Sequence, residues 1–594
     1  MARNKFDVDE ELKQSFDTSH LKRAFVYIRK YGKRMLIATA LALTAGIIGL
    51  FGPLIMEEAV DKAIPDKNTG YLFTLAGILL GTIVINIIFN MIKAVILTKV
   101  GQNIIYDIRK DLFARLQELP FSYFDSRPHG KILVRVVQYV NSVSDMLSNG
   151  IINSVLELFN LIFIAFFMFH VNAKLALFVI AGLPLFVLYI FIIKPRQRKA
   201  WQKHSNKNSN LNAFVHENIE GIKVAQMFTK AEENIGVFEG LMREGRKYWM
   251  RAVLSMHTVW FAGEVITQTV LTFVYIGGMF WMVPTLTAGT IIAMGSYVSR
   301  FWQPIINLAN IYNNFVNNLA YLERIFEVID EPVEVCDIEG AYELPEIKGS
   351  VTFKDVSFAY EKDLYILKNV STKIKAGESV ALVGPTGAGK TTVVNLISRF
   401  YNINGGEILI DDYDISKVTL ESLRRQMGIM LQDSFIFSGT IYDNIRYGKL
   451  DATDEEIEAA AKTVCADMFI RQMEQGYMTE VNERGSRLSQ GEKQLISFAR
   501  TLLADPKILI LDEATSSIDT QTEKLLQVGL DELLKGRTSF IIAHRLSTIK
   551  NCDKIMYIAD KNIQECGTHD ELMAFGGAYY RLSTSQQGAA PQNE

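Results

Sequence analysis

Apolar residues gather into long runs in the first half of the chain and into short β-branched runs in the second. A helix that crosses a bilayer needs about 20 mostly apolar residues. Six stretches meet that need, at 35–60, 72–97, 151–171, 175–193, 254–282 and 288–316. The first, third and fifth connections are short (61–71, 172–174 and 283–287), whereas 98–150 and 194–253 are long and helix-like. Helical periodicity continues past each boundary, so the spans are expected to extend as rods. Lys22, Arg23, Lys30, Lys33 and Arg34 precede the first span. Arg109, Lys110 and Arg115 follow the second, and Lys194, Arg196, Arg198 and Lys199 follow the fourth. The positive-inside rule therefore places both termini and both long loops in the cytoplasm. Within 20–31, Leu21, Phe25, Val26 and Ile28 alternate with Lys22, Arg23, Arg29 and Lys30, as in a helix lying in the membrane interface.

A few polar residues interrupt the spans. Glu157 and Glu264 fall in the third and fifth. An ionisable group there faces the bundle interior or a water-filled cavity. It serves either to contact a cationic or polar substrate or to hold helices together, and the sequence weighs the two evenly. Asn307, Asn310, Asn313 and Asn314 recur at helical spacing in the sixth span, with Asn317 and Asn318 beyond it. Such a stripe suits an aqueous vestibule better than lipid, where amides stay unsatisfied.

The pattern changes after Glu323. Residues 326–348 are acidic, hold Pro332 and Pro345, and read as a linker. From Val351 onward short strands alternate with helices and glycine turns, the pattern of an α/β domain with a parallel sheet. Here stands Gly384-Pro385-Thr386-Gly387-Ala388-Gly389-Lys390-Thr391, followed by Thr392. The strand 379–383 leads in and a helix leads out, the setting a phosphate loop requires. Its amides point at phosphate oxygens and the helix N-terminus adds its dipole. Lys390 brings a cation to the phosphates and Thr391 a hydroxyl to Mg²⁺. Downstream, the apolar run 508–511 ends in Asp512 and Glu513. The first carboxylate is placed for Mg²⁺ and the second as general base for water.

These motifs, in this order, resemble the ATP-binding cassette exporters, in the half-transporter arrangement. The resemblance implies an all-α six-helix transmembrane domain followed by an α/β P-loop nucleotide-binding domain with a helical subdomain. The expected boundaries are an N-terminal cytosolic segment with its interfacial helix at 1–34, a transmembrane domain at 35–325, a linker at 326–348, a cassette domain at 349–584 and a polar tail at 585–594. By the same resemblance Tyr360 stacks on adenine, Gln432 senses Mg²⁺ and water, and His544 contacts the γ-phosphate. Ser489 and Gly491 belong to the signature that covers the partner's nucleotide, and Asp519 to a loop crossing the dimer interface. Phe124, Asp125, Gly130 and Arg135 look like the first coupling region, and Glu217 and Gly221 like the second. The segment 479–485 looks like the part of the cassette that meets them, with Asn482 where glycine is usual.

One departure bears on the partner. The usual Leu-Ser-Gly-Gly-Gln reads Leu488-Ser489-Gln490-Gly491-Glu492 here. Gln490 adds bulk where backbone approaches phosphate, and Glu492 puts a carboxylate at a helix N-terminus that should greet an anion. With Lys390, Asp512, Glu513 and His544 intact, the chain resembles the catalytically competent member of a heterodimer. A homodimer tolerating the change is the alternative.

Composition adds bounds. At 594 residues the chain exceeds one core, and 49% hydrophobic with 21% charged residues suits a part-membrane protein. A net charge of −3 gives no reason to expect a nucleic-acid partner. Cys336, Cys465, Cys552 and Cys566 show no metal-ligand spacing, as in a reducing cytosol. The acidic start (Asp7, Asp9, Glu10, Glu11) does not read as a cleavable signal peptide, which fits the plasma membrane. The expected function is ATP-driven export of a hydrophobic, amphipathic or cationic small molecule, lipid or peptide by alternating access in a dimer, with ATP and Mg²⁺ as cofactors and membrane lipids around the spans. A dedicated peptide exporter, an importer of the same architecture and a regulatory ATP-binding subunit are the alternatives.

Overall fold

A computed structural model describes residues 19–127, 129–277, 286–361, 364–430, 434–512, 520–542 and 546–588. The chain forms two compact units: Met1–Gln117 with Pro128–Glu331, and Pro332–Glu594 with Glu118–Arg127.

The first unit is helical. Its helices are α1 (Ser19–Arg29), α2 (Gly32–Glu58), α3 (Thr69–Glu118), α5 (Ile151–Val171), α6 (Ala173–Ala181), α7 (Leu183–Glu220), α8 (Ala231–Ile276) and α9 (Ala288–Ile329). The short α4 (Phe121–Asp125) belongs to the second unit. Among the described residues five stretches are long and apolar enough to cross a membrane. They are Gly32–Ala63, Thr69–Glu118, Ile132–Val171, Ala173–Glu220 and Ala231–Ile276. The sixth expected span falls in α9, which has the length but carries the polar stripe. The fourth expected span is divided at Gly182, where α6 ends and α7 begins. A Cβ on Gly182 would stand 3.2 Å from both Trp302 and Val270, so glycine lets three helices close together there. The core of this unit gathers Phe186, Met294, Tyr297, Val298, Phe301 and Trp302, all buried. The Tyr297 hydroxyl finds its acceptor across the bundle, donating to the Leu50 carbonyl at 2.6 Å.

Capping explains where helices begin. The Asn172 side chain accepts from the backbone of Lys174 and Leu175, starting α6 one residue after α5 ends. The Thr287 hydroxyl accepts from Thr290 N at the start of α9, while Asp61 accepts from Gly289 N at 2.7 Å. The amphipathic α1 is fastened by Arg23 to Asp330, by Lys30 to Asp107 at 2.8 Å, and by Tyr27 to Asp111 at 2.9 Å. Ala24 and Ile28 are buried beneath it, and Phe25 and Val26 are turned outward.

The second unit holds two main sheets. Strands β1 (Val351–Ala359), β2 (Tyr365–Ile374), β4 (Gly405–Ile410) and β5 (Tyr413–Asp414) form an antiparallel sheet ordered β2-β1-β4-β5. Strands β3 (Ser379–Val383), β6 (Met427–Met430), β9 (Ile508–Asp512), β10 (Thr538–Ile542), β11 (Lys554–Ala559) and β12 (Asn562–Gly567) form the other, ordered β12-β11-β3-β10-β9-β6. It is parallel except for the edge strand β12. The central strands β3, β10 and β9 are nearly continuous buried runs because both faces are covered, whereas the edge strand β12 is mostly polar. The small β7 (Gly439–Thr440) pairs with β8 (Glu480–Val481).

The expected linker is bound into this unit rather than loose. Arg399 donates to the Cys336 carbonyl and Asn402 to that of Glu334. Asp411 accepts from the backbone of Lys348, Gly349 and Ser350. The sixth long helix runs to Ile329, past the expected start of the linker. In α4, Asp125 accepts from the Tyr401 hydroxyl at 2.7 Å, and Phe121 stacks on Phe400 with centroids 5.4 Å apart.

Candidate functional site

The phosphate loop joins β3 to α10 (Lys390–Ile397). Strand β3 is buried from Val380 to Val383, so the loop emerges from the middle of the sheet, where β3 lies between β11 and β10. Gly384 turns the chain at φ 143°, and a Cβ there would stand 2.2 Å from the Ile558 carbonyl oxygen. No other residue fits. Gly389, at φ 101°, precedes the first residue of α10. The loop stretch from Pro385 to Gly387 is exposed, while Ala388 and Gly389 are half-buried. Lys390 Nζ bends back over the loop and donates to the carbonyls of Gly384 at 2.9 Å and Pro385 at 3.0 Å. Burial pushes this lysine below its ordinary range, and the Asp512 carboxylate opposes the shift. Asp512 ends β9, which is separated from β3 only by β10 in the parallel part of the sheet, so its carboxylate lies at the same sheet edge as the loop. Thr391 is exposed on the first turn of α10, while Thr392 is buried.

Tyr360 stands just past β1, 47% exposed. Its hydroxyl shares a 3.1 Å hydrogen bond with Thr392 Oγ1. Phe358 and Tyr401 meet the ring edge-on, with centroids at 4.8 and 5.1 Å. The result is a braced ring with an open side, next to the phosphate loop. Tyr401 was not among the residues expected to matter. An aromatic soon after α10 was the only sequence signal.

Ser489 caps α11 (Gln490–Leu503) in a reciprocal box. Its hydroxyl accepts from Glu492 N at 3.3 Å, and Glu492 Oε2 accepts from Ser489 N at 2.7 Å. Glutamine fills the same role in such a box. The Glu492 carboxylate is thus turned onto its own cap. Gly491 is buried and Gln490 exposed. Gln432, Glu513, Asp519 and His544 lie outside the described residues.

In the membrane unit, Asn307 Nδ2 donates to Glu157 Oε1 at 2.7 Å, and Gln303 Nε2 donates to Asn307 Oδ1 at 2.9 Å. Glu264 is exposed on α8 and accepts from Gln268 one turn on, at 2.8 Å. Asn310 and Asn314 are exposed on α9, and the side chains of Asn313 and Asn317 lie outside the described residues. Asn86, Asn90, Asn160 and Arg300, also inside spans, escaped the sequence reading. A search for every charged or amide residue within the apolar runs would have found them.

Apolar helices of membrane-crossing length joined to a phosphate-loop α/β domain define a nucleotide-driven membrane protein. Comparisons with known proteins agree. Residues 35–305 match the ABC transporter transmembrane region, and residues 367–516 match the ABC transporter family. The ABC transporter ATP-binding protein YknV of Bacillus subtilis is 40% identical over 98% of this chain and 97% of its own length. The ATP-dependent lipid A-core flippase of Syntrophus aciditrophicus is 34% identical over 95% of this chain and 94% of its own. A solved structure of a bacterial Atm1-family ABC exporter with ATP bound aligns with a TM-score of 0.79 and 30% identity, covering 95% of this chain and 99% of that one. The chain belongs to the ABC transporter family. It is a multi-pass membrane exporter of the half-transporter type that binds and hydrolyses ATP, and its fold is one that generally works as a dimer.

Proposed function

We propose that this chain exports a hydrophobic or amphipathic small molecule, lipid or peptide across the plasma membrane, as one half of a heterodimer, with termini and nucleotide domain in the cytoplasm. The observation that carries the nucleotide chemistry is the loop itself, with Lys390 bent over its carbonyls and Asp512 at the same edge of the sheet. Adenine stacks on the open side of Tyr360, and the loop amides and Lys390 take the phosphates. Thr391 and Asp512 offer oxygen donors, which suit Mg²⁺. When bound, that ion neutralises phosphate charge. Glu513 acts as base on the attacking water, His544 contacts the γ-phosphate, and Gln432 senses the site. Ser489, Gly491 and Asp519 serve the nucleotide across the dimer interface. ATP binds the closed pair of nucleotide domains better than the open pair, and that difference drives the spans from inward- to outward-open.

Support for an amphipathic cargo comes from the lipid A-core flippase among the relatives and from the polar stripe on α9. A cationic cargo is less favoured, because Glu157 is engaged by Asn307. Support for a heterodimer is the altered signature at Gln490 and Glu492. The capping box at Glu492 favours the homodimer as a second reading, since Glu492 keeps a structural task there. ATP turnover of the chain purified alone in lipid, beside Glu513→Gln, separates them. No turnover from protein that still binds ATP supports a missing partner. Turnover that vanishes in the variant establishes a working homodimer and Glu513 as its base.

A further inference from the structure

Polar side chains from three helices converge on α2 about halfway along the spans. A Cβ on Gly46 would stand 3.0 Å from Asn160 Oδ1 of α5, and one on Gly49 3.1 Å from Asn86 Nδ2 of α3. Asn86 Nδ2 donates to the Ala45 carbonyl at 2.7 Å, and Asn90 Nδ2 to Asn86 Oδ1 at 2.8 Å. From α9, Arg300 Nη1 donates to the Gly49 carbonyl at 2.8 Å, and the residue stays exposed. Small residues on α2 thus let two amides and a guanidinium reach one level.

Arg300 also belongs to a longer row. Ser296, Arg300, Gln303, Asn307, Asn310 and Asn314 follow one another on α9 at steps of three and four residues, which puts them on one face. Facing lipid, such a row would leave donors unsatisfied. A charged side chain inside a span faces a protein interior or a water-filled cavity. The row therefore lines the pathway through the membrane. The nearby acids have other partners: Glu57 accepts from the Thr290 hydroxyl at 2.7 Å, and Glu157 from Asn307. Among the described residues no carboxylate is ion-paired with Arg300. This face of α9 thus presents a cation followed by the amides of Gln303 and Asn307, at a depth in the membrane where the low dielectric strengthens the attraction for an anion.

We propose that Arg300 binds the headgroup of the transported molecule, and that the cargo is an amphiphile with a carboxylate or phosphate head. The proposal rests on the amphipathic-cargo reading above and adds the sign of the charge.

The test uses the full-length protein in phosphatidylcholine nanodiscs and the fluorescent probe dansylaminoundecanoate beside its methyl ester. The acid is expected to bind about tenfold more tightly than the ester, the gain of a charge-assisted hydrogen bond. Dodecyl phosphate is expected to displace it, and inorganic phosphate, which lacks a tail, is not. In Arg300→Gln the preference for the acid is expected to vanish while ester binding stays. Arg300→Lys is expected to keep the preference. An ATP-dependent thermal shift checks that each variant is folded, and the unmodified protein carries the test alone should Arg300→Gln fail to fold. Equal binding of acid and ester to the unmodified protein overturns the charge assignment and leaves the amphipathic reading standing. A preference that survives Arg300→Gln assigns the headgroup elsewhere. No binding of either probe sinks the amphipathic reading itself.

Discussion

Asn307 Nδ2 donates to Glu157 Oε1 at 2.7 Å, tying the middle of α9 to α5. This is the helix-to-helix role that the sequence could not separate from substrate contact. A glutamine at 157 keeps the accepting oxygen, so Glu157→Gln should leave transport of a dansyl amphiphile dye within about twofold of normal. Glu157→Ala strands the Asn307 amide, and inter-helix hydrogen bonds in membranes contribute about 0.6 kcal/mol each. Thermal unfolding in lipid should show Ala below Gln. Dye transport abolished by Gln with stability unchanged would return the carboxylate to the substrate.

Tyr360 is held by Thr392 through its hydroxyl and by Phe358 and Tyr401 at its edges. The open ring face is the useful part. Tyr360→Ala should weaken ATP binding by roughly 1–3 kcal/mol, the range for a lost base–aromatic stack. Tyr360→Phe should lose far less. Titration of a fluorescent ATP analogue reads both. Equal losses would mean that the hydroxyl matters and the stack does not.

Asp411 holds the junction of linker and nucleotide domain, accepting from Lys348 at the linker's end and from Gly349 and Ser350 beyond it. Burial raises its carboxyl, but the backbone N–H groups of Gly349, Ser350 and Lys348 outweigh that and leave it below the ordinary carboxylate range. A carboxylate depressed on folding stabilises above its unfolded pKa, and the contribution fades as pH falls through the folded value. Asp411→Asn should therefore cost roughly 1–2 kcal/mol at neutral pH, and the difference from wild type should shrink in acid. Hydrogen exchange at Lys348–Ser350 against pH measures it. A pH-independent difference would contradict this role.

The phosphate loop was legible in the sequence because a buried strand, glycines at set intervals and a helix start are all local. So were the long spans, whose length follows from bilayer thickness. Partners across the fold were not legible. Asp411 is one of three acids between 411 and 414, and only the pairing of β4 with β1 brings it to the end of the linker. Tyr401 carries no motif of its own, and only the fold sets Phe358 and Tyr360 against it. Gly182 broke an apolar run that hydropathy alone carried straight through. Glu157 was ambiguous because its partner lies 150 residues away.

The signature deserves a direct comparison between its two altered positions. Glu492→Gln keeps the capping box, so its effect on folding should be within about 0.5 kcal/mol, whereas Glu492→Ala should cost about 1 kcal/mol. If the signature blocks a lone pair of these chains from hydrolysing ATP, Gln490→Gly with Glu492→Gln should raise their turnover severalfold. Turnover unchanged by the double variant would remove the main support for a heterodimer.

The central claim is that ATP at the phosphate loop powers movement of an amphiphile outward across the membrane. Inside-out vesicles from cells overproducing the chain with whichever half-transporter completes its dimer, loaded from outside with a dansyl amphiphile, test it most directly. The account expects accumulation that requires ATP and disappears in Lys390→Ala at equal protein level. Accumulation that proceeds without ATP, or survives Lys390→Ala, would contradict it.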